Sequence, residues 1–352
     1  PRIKELHLGG GTPTFFSPDH LRDLIEGLFE HADPCEAPLY SFEAHPNNTT
    51  RAHLEVLPSL GFTRNSFGIQ DYDPVVQKAI NRIQSFEDVR AVTEMSREVG
   101  YQSVSHDLVF GLPHQSESAM QRTIDLTAEL RPDRIAFYSY AHVPWIKGTG
   151  QRGYDEKDLP SNEGKRKLYE IGKERFLALG YEEIGMDHFA LPEDTLAKAY
   201  HSGSLHRNFM GYTSGKTRLM VGLGMSSISD SWGGFAQNVK TVAAYENQAL
   251  KNEIPVFRGH MLSNEDLVIR KHILQLMCQF QTSFESEVDR FPDMQTCLEK
   301  LDEMEKDGLV QRDGFQLTVT PKGRPFVRNV CMALDLELLR KAPTTKVFSM
   351  TV

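Results

Sequence analysis

The sequence is poor in cysteine, and the four it has, Cys35, Cys278, Cys297 and Cys331, are scattered. Their gaps fit neither a metal knuckle nor a compact disulfide framework. No metal ligands are therefore expected among these residues, and reduced thiols of a cytoplasmic protein are the remaining reading. Positive charge is also in deficit. Lys and Arg number 39 against 48 Asp and Glu, a formal net charge of −9. That balance argues against a general nucleic-acid binder and against an anionic membrane surface as partner. Long apolar runs are missing: none approaches the roughly 20 residues of a membrane span, so no membrane insertion is expected. A lead-in is missing as well. Residue 1 is proline and a strand pattern begins at Ile3, which predicts a chain that continues upstream.

What is present is ordinary for a globular protein. The hydrophobic fraction is 39% over 352 residues, enough for one large domain and a smaller one. The first 145 residues repeat a strand–loop–helix pattern. "IKELHL" ends in Gly9-Gly10-Gly11. Ser17 then reads as an N-cap with Pro18 as the first helical residue, and Leu21, Leu24, Ile25, Leu28 and Phe29 give one apolar helical face. "PLYSFEA" is a second strand, followed by a helix from about Thr50 to Leu60. "FTRNSFGIQ" is the third. The next helix is capped by Ser85, with Asp88 three residues on and Gly100 as its stop. "YQSVSHDLVF" and "RIAFYSYA" are the fourth and fifth strands, with a helix over Ser118–Leu130 between them.

Alternating strands and helices predict a parallel sheet with right-handed crossovers. Gly9–Thr12, Glu43, Gln70, Asp107 and Ala141-His142 all fall at or near the C-terminal end of a predicted strand. That edge is where a βα barrel builds its active site; the competing explanation is that strand ends meet water and are polar for that reason. Three consecutive glycines exceed what one tight turn needs, so they predict close approach of a ligand to bare backbone.

After Pro144 the pattern loosens. "WIKGTGQRG" reads as a loop, a helix covers about Glu163–Leu179, and long irregular stretches rich in Gly, Ser, Asn and aromatics follow; such stretches are usually functional. From Ser263 the texture changes again. Ser263 and Asp266 cap a helix carrying Leu267, Ile269, Ile273, Leu274 and Met277. A second helix is expected over Thr296–Lys306, then a hairpin turning at Asp313-Gly314. The expected division is 1–260 for the barrel and its extension, and 261–352 for a mostly helical, winged-helix-like module.

"LHLGGGTP", "SFEAHP", "FGIQDYDPVVQKAINRIQ", "HDLVFGLP", "AFYSYAHVP", "GMDHFALPED" and "LHRNFMGYT" together resemble the oxygen-independent coproporphyrinogen III oxidases, a family of radical S-adenosylmethionine (SAM) enzymes. The resemblance runs nearly end to end. GGGTP is shared by several radical SAM subfamilies; "GMDHFALPED" followed by "LHRNFMGYT" is far more specific. The resemblance implies an α/β fold, a partial (βα)6 TIM-like barrel of the radical SAM type. It implies SAM as cofactor, up to two molecules, and a [4Fe–4S] cluster held by CxxxCxxC. No cysteines here have that spacing, so the expectation places the cluster ligands upstream of Pro1 in a full-length protein.

The resemblance also implies residue roles. Gly10, Gly11 and Thr12 meet the methionine end of SAM, and Glu43 its ribose hydroxyls, a pair that one carboxylate can accept. Gln70, Arg82 and Asp107 match further SAM-binding positions; Arg82, expected on a helix, suits a carboxylate. Ala141, Phe209, Met210 and Ile228 match positions lining the two SAM molecules. Met210 replaces a glutamine of some members and removes an amide. His45 replaces a common acidic residue and is given no role. Tyr140, Trp145, His206, Arg207 and Asn208 are expected near the tetrapyrrole.

The implied reaction is oxidative decarboxylation of two propionates of coproporphyrinogen III to vinyl groups, started by a 5′-deoxyadenosyl radical and giving protoporphyrinogen IX. An electron donor and an electron acceptor are implied but not identified, and a monomer is expected. Two readings compete with this one: a haem-binding chaperone of the same superfamily, and a cluster-less nucleotide-binding barrel without catalysis.

Overall fold

The structure is a computed structural model that describes residues 1–142, 153–286 and 291–341. It divides into two compact units, residues 1–198 and the residues from 199 onward. The division expected at residue 260 falls inside the second unit.

The first unit is built on a seven-stranded sheet. Strands β1 (Arg2–Leu8), β2 (Asp33–Ala44), β3 (Phe62–Gln70), β4 (Ser103–Phe110) and β5 (Arg134–Ser139) lie side by side in chain order and parallel. Helices α1 (Pro18–Phe29), α2 (Arg51–Ser59), α3 (Pro74–Ala79), α4 (Phe86–Val99) and α5 (Glu117–Leu130) make the connections. The caps form where the sequence places them. Ser17 Oγ accepts the His20 N–H at 3.3 Å, Ser85 and Asp88 cap each other, and Gly100 ends α4 at φ 102°, a conformation glycine adopts without a Cβ penalty.

After α6 (Asn162–Ala178), a hairpin extends the sheet. Strand β7 (His188–Ala190) pairs antiparallel with β5, and β6 (Glu182–Ile184) pairs antiparallel with β7. The sheet thus has five parallel strands and two antiparallel ones that the sequence reading did not contain. Its five parallel strands are the five read from the sequence.

One face of the sheet is apolar and carries the helices. Phe42, Phe67, Ile69, Leu108, Phe110, Ile135 and Phe137 pack in one cluster with Leu21, Ile25, Leu57, Val89, Met120, Ile124, Leu168 and Phe176. Full burial of such side chains contributes about 1.5–3 kcal/mol each. The alternate residues of the same strands, among them Ser41, Glu43, Ser66, Ser105 and Asp107, form the other face. A sheet sandwiched between two helical layers reads apolar at nearly every strand position; this one alternates, as the wall of a barrel with a polar interior does.

The second unit holds short antiparallel elements. The division falls within α7 (Thr195–His201). Beyond it, β8 (His206–Asn208) and β9 (Gly211–Thr213) form a hairpin. A sheet of β10 (Ile228–Ser231), β11 (Gly234–Asn238) and β12 (Val256–Met261) follows, with α8 (Val242–Ala249) inserted between its last two strands. Then come α9 (Asn264–Gln279), β13 (Gln281–Ser283), α10 (Pro292–Glu299), α11 (Asp302–Lys306), and a hairpin of β14 (Val310–Asp313) and β15 (Gln316–Val319), before α12 (Val327–Ala333) and α13 (Leu336–Lys341). Helix, strand, helices and hairpin give the winged-helix-like order. The single helix expected over Thr296–Lys306 is two, broken at Leu301, which turns inward and is fully buried. The hairpin turn is Gly314-Phe315, one residue later than expected, because Asp313 still pairs with Gln316; Gly314 supplies the positive φ, 57°.

Candidate active site on the polar sheet face

The site starts where β1 and β2 end. A Cβ on Gly9 would lie 2.8 Å from His7 Nε2 and 3.1 Å from the Glu43 carboxyl. A side chain at this position would have to displace the His7 ring and the Glu43 carboxyl. Gly10 and Gly11 differ: their φ angles are 81° and 150°, and nothing lies within 4 Å of a Cβ built on either. Their backbone is open to a ligand, and Thr12 follows at the start of a short 3-10 turn. His7 bridges Ser41 Oγ at 2.9 Å and Glu43 Oε1 at 3.3 Å, so the Glu43 carboxylate is oriented by a residue the sequence reading left unassigned.

The end of β3 is bulged. Gly68 pairs with Asp107, but Gln70, two residues on, pairs with Leu108, so one extra residue re-aims the strand end. Gln70 sits at φ 68°. A Cβ on Gly68 would meet Arg82 Nη2 at 2.7 Å and Gln70 Nε2 at 2.8 Å, so these two side chains lie directly over Gly68. Arg82 is not on a helix, as expected, but in the loop between α3 and α4. The left-handed Asn81, φ 52°, interrupts the helical pattern there. Arg82 Nη2 donates to the Gly68 carbonyl at 2.8 Å, while Nε is buried without a hydrogen-bond partner. Burial lowers the guanidinium pKa, and Asp107 opposes that.

Two buried glutamines hold this loop against the bulge. Gln84 Nε2 donates to the Ile69 carbonyl at 2.5 Å, and Gln77 Nε2 donates to the carbonyls of Asp71 and Gln84, both at 2.9 Å. Behind them Asp71 accepts from Gln115 Nε2 at 2.6 Å and Thr123 Oγ1 at 2.9 Å. Only the polar residues inside an otherwise helical stretch, 70–84, signalled this in the sequence.

Asp107 lies at the centre. Ser66 Oγ donates to its Oδ1 at 2.7 Å. Burial nonetheless pushes its carboxyl up to about 6, and Glu43 acts in the same direction, while His188 and Arg82 oppose. Two carboxylates, one of them raised by burial and by its neighbour, make a site that favours a cation. The unpartnered Arg82 Nε and the open Gly10-Gly11 backbone add hydrogen-bonding groups for a polar ligand.

The structure brings Gly10, Gly11, Thr12, Glu43, Gln70, Arg82 and Asp107 to one edge of one sheet. Ala141 is exposed just beyond β5. Phe209, Met210 and Ile228 belong to the second unit. Phe209-Met210 is the turn between β8 and β9, with the Phe209 ring edge-on to Phe235 at 5.4 Å. The Met210 N–H donates to Asn208 Oδ1 at 2.8 Å, so its backbone is fixed while its side chain is half exposed. Ile228 opens β10. The Arg207 guanidinium lies over the Tyr212 ring at 4.6 Å. The Tyr140 carbonyl accepts from Lys165 Nζ at 2.8 Å, and its hydroxyl bonds that of Tyr154. His45 accepts the Asn47 N–H at 3.2 Å and caps a short turn. Trp145 lies outside the described residues.

Among the described residues, no three of His, Cys, Asp and Glu come together as a metal site. Cys35 lies in β2, and Cys278, Cys297 and Cys331 are buried in α9, α10 and α12. Burial pushes Cys278 up to about 11 and Cys331 up to about 12, which keeps both as thiols. No helix among these residues is long and apolar enough to cross a membrane.

Residues 1–127 match the model of the Radical SAM superfamily. The oxygen-independent coproporphyrinogen III oxidase of Pseudomonas aeruginosa is 38% identical over 340 residues, 95% of this chain and 74% of that protein. The protein of that name from Synechocystis sp. is 38% identical over 349 residues, 97% of this chain and 75% of its own. The solved structure of coproporphyrinogen III oxidase from Escherichia coli, described as a radical SAM enzyme, matches with a TM-score of 0.91 at 36% identity, covering 96% of this chain and 79% of that one.

Proposed function

The chain belongs to the oxygen-independent coproporphyrinogen III oxidases of the radical SAM superfamily, and from that premise we propose that it converts two propionate side chains of coproporphyrinogen III to vinyl groups, giving protoporphyrinogen IX. Each propionate loses a hydrogen atom, an electron and CO2, so an acceptor outside the chain takes the electron. When bound, SAM and a reduced [4Fe–4S] cluster supply the one-electron chemistry that removes the hydrogen atom. The spacing CxxxCxxC does not occur in the 352 residues and the described residues form no metal site, so none of them is assigned to the cluster.

The first unit does fit SAM. Gly10 and Gly11 offer backbone N–H and C=O groups with no side chain in the way. Glu43, oriented by His7, accepts from the two ribose hydroxyls. Arg82 turns its buried, unpartnered Nε and the rest of its guanidinium to the amino-acid carboxylate. Asp107, steadied by Ser66, supplies negative charge to a ligand that carries a sulfonium and an ammonium, with Gln70 adding its amide. Ala141, Phe209, Met210 and Ile228 keep the role the resemblance implies, at positions that line the two SAM molecules, and the thioether of Met210 offers no amide hydrogen bond.

The observation that carries this reading is the polar cluster over Gly68, in which Arg82 and Gln70 stand beside the buried carboxylate of Asp107. Calorimetric titration of the full-length protein with SAM tests it. Glu43→Gln and Asp107→Asn each remove a charged hydrogen-bond acceptor, about 1.5–3 kcal/mol or at least about tenfold in affinity. Unchanged affinity in both variants would overturn the assignment.

A further inference from the structure

The β6–β7 hairpin carries the most specific motif of the chain, Gly185–Asp194, yet the function proposed above uses none of it. Of the three residues of β7, His188 joins the polar row. It pairs with Ala136, and Ala136 pairs with Asp107. The row across β3, β4, β5 and β7 therefore reads Gly68, Asp107, Ala136, His188. Two of the four positions carry at most a methyl group. The space over Gly68 is taken by Arg82 and Gln70. Ala136, itself buried, stands between Asp107 and His188 in the row, and the Tyr138 ring stands edge-on to the imidazole at 5.9 Å.

The imidazole is held firmly. His188 Nδ1 is 2.5 Å from Asp187 Oδ1, and both side chains are nearly buried, 13% and 11% exposed. Asp187 is itself pinned, because its carbonyl accepts the Phe137 N–H at 2.7 Å. A ring fixed in this way presents its other nitrogen in one direction. The imidazole also lies near enough to Asp107 to act on its carboxyl.

We propose that His188, oriented by Asp187, binds a propionate carboxylate of the tetrapyrrole substrate. This rests on the function proposed above. Two nitrogen donors then flank Asp107 along the row. Arg82 on one side serves the carboxylate of SAM. His188 on the other side serves a second anionic group, and propionates are the anionic groups of the substrate. With Nδ1 engaged by Asp187, Nε2 is the nitrogen left to meet the carboxylate, by a hydrogen bond to a charged acceptor. Asp187 is a positioning residue and His188 a substrate-binding one.

Fluorescence titration of the full-length enzyme with coproporphyrin III, and with its tetramethyl ester in the same detergent buffer, tests the proposal. A site built around a carboxylate rejects the ester, so the wild type should prefer the free acid by about tenfold or more. His188→Gln and Asp187→Asn should each weaken the acid and leave the ester unchanged, narrowing the preference to about threefold or less. SAM affinity by calorimetry should stay within about twofold of wild type. An unchanged acid-to-ester ratio in both variants would overturn the proposal. So would parallel loss of acid, ester and SAM, the signature of a merely structural pair. A wild type that binds SAM but neither porphyrin would overturn the substrate reading itself.

Discussion

Ser66 donates its hydroxyl to Asp107 across the β3–β4 ladder at 2.7 Å, and this one bond does not offset the burial of the carboxylate. The Asp107 carboxyl stays raised to about 6, above the ordinary aspartate value of 3.8. The native state therefore holds a proton that the unfolded chain has already released between about pH 4 and pH 6. Native stability falls as pH rises through that window. Asp107→Asn removes the effect. The variant should be more stable than wild type at pH 7.5, on the order of 2 kcal/mol, and no more stable at pH 3.5. Urea unfolding at the two pH values measures this, and equal stability at both would show the carboxylate is not strained.

The same titration governs ligand binding. A cationic ligand that needs Asp107 ionised binds fully above about pH 6 and loses up to about tenfold in affinity per pH unit below it. SAM titrations from pH 5 to pH 8 should show this bend in the wild type. In Asp107→Asn affinity should be weaker overall and the bend absent.

Gly68→Ala is expected to act on the ligand more than on the fold. Its new methyl would stand where Arg82 Nη2 and Gln70 Nε2 now lie, 2.7 and 2.8 Å from the Cβ position. Both are ends of flexible side chains, so the backbone need not move. Unfolding free energy should drop by about 1 kcal/mol or less, while SAM affinity falls about tenfold or more through loss of the Arg82 contact. Equal SAM affinity in the variant would mean that Arg82 is not where the ligand carboxylate binds.

The five parallel strands were legible because each has alternation long enough to read: β3 falls on the nine residues quoted from the sequence, 62–70. So were the Ser17 and Ser85 caps, whose chemistry is local. The β6–β7 hairpin was not. Three residues per strand give no measurable period, and its place was decided by pairing with β5, 50 residues away. Arg82 was misplaced for a related reason. Residues 74–99 read as helix at both ends, and only the left-handed Asn81 breaks them, at a position where asparagine gives no strong warning. The glycines at 9–11 were recognised together, but the sequence could not say that Gly9 accommodates His7 and Glu43 while Gly10 and Gly11 face open space. That distinction depends on side chains from another strand.

Gly172 predicts a stability effect unconnected with ligands. A Cβ on this α6 residue would lie 2.4 Å from the Phe137 ring. Phe137 is almost fully buried and packs edge-on to Phe176 at 5.4 Å and tilted against Phe110 at 4.7 Å, so the ring has nowhere to go. Overpacking of this kind costs about 1–3 kcal/mol. Gly172→Ala should lower the urea midpoint with an unchanged m-value; a midpoint equal to wild type would mean that α6 can slide.

The two ends of the Gly185–Asp194 motif should separate by phenotype. Asp194 is almost fully buried, with a side chain 2% exposed, and its Oδ1 accepts from Arg134 Nε at 2.7 Å, where the arginine is 9% exposed. Its Oδ2 accepts from Ser103 Oγ at 2.8 Å, and its Oδ1 also accepts the Leu196 N–H at 2.6 Å at the start of α7. Arg134 Nη2 completes the group by donating to Thr195 Oγ1 at 2.7 Å. All of this sits toward the opposite end of β4 and β5 from Asp107. Asp194→Ala leaves a buried guanidinium without its counter-ion and strips α7 of its cap, a loss of about 3–5 kcal/mol. Replacing both partners, Arg134→Met with Asp194→Leu, removes both charges together and should recover part of that loss. Where Asp194→Ala remains folded at low temperature, its acid-to-ester porphyrin preference and its SAM affinity should match the wild type. A double variant no more stable than Asp194→Ala would show that the hydrogen bonds to Ser103 and α7, rather than the uncompensated arginine charge, account for the loss.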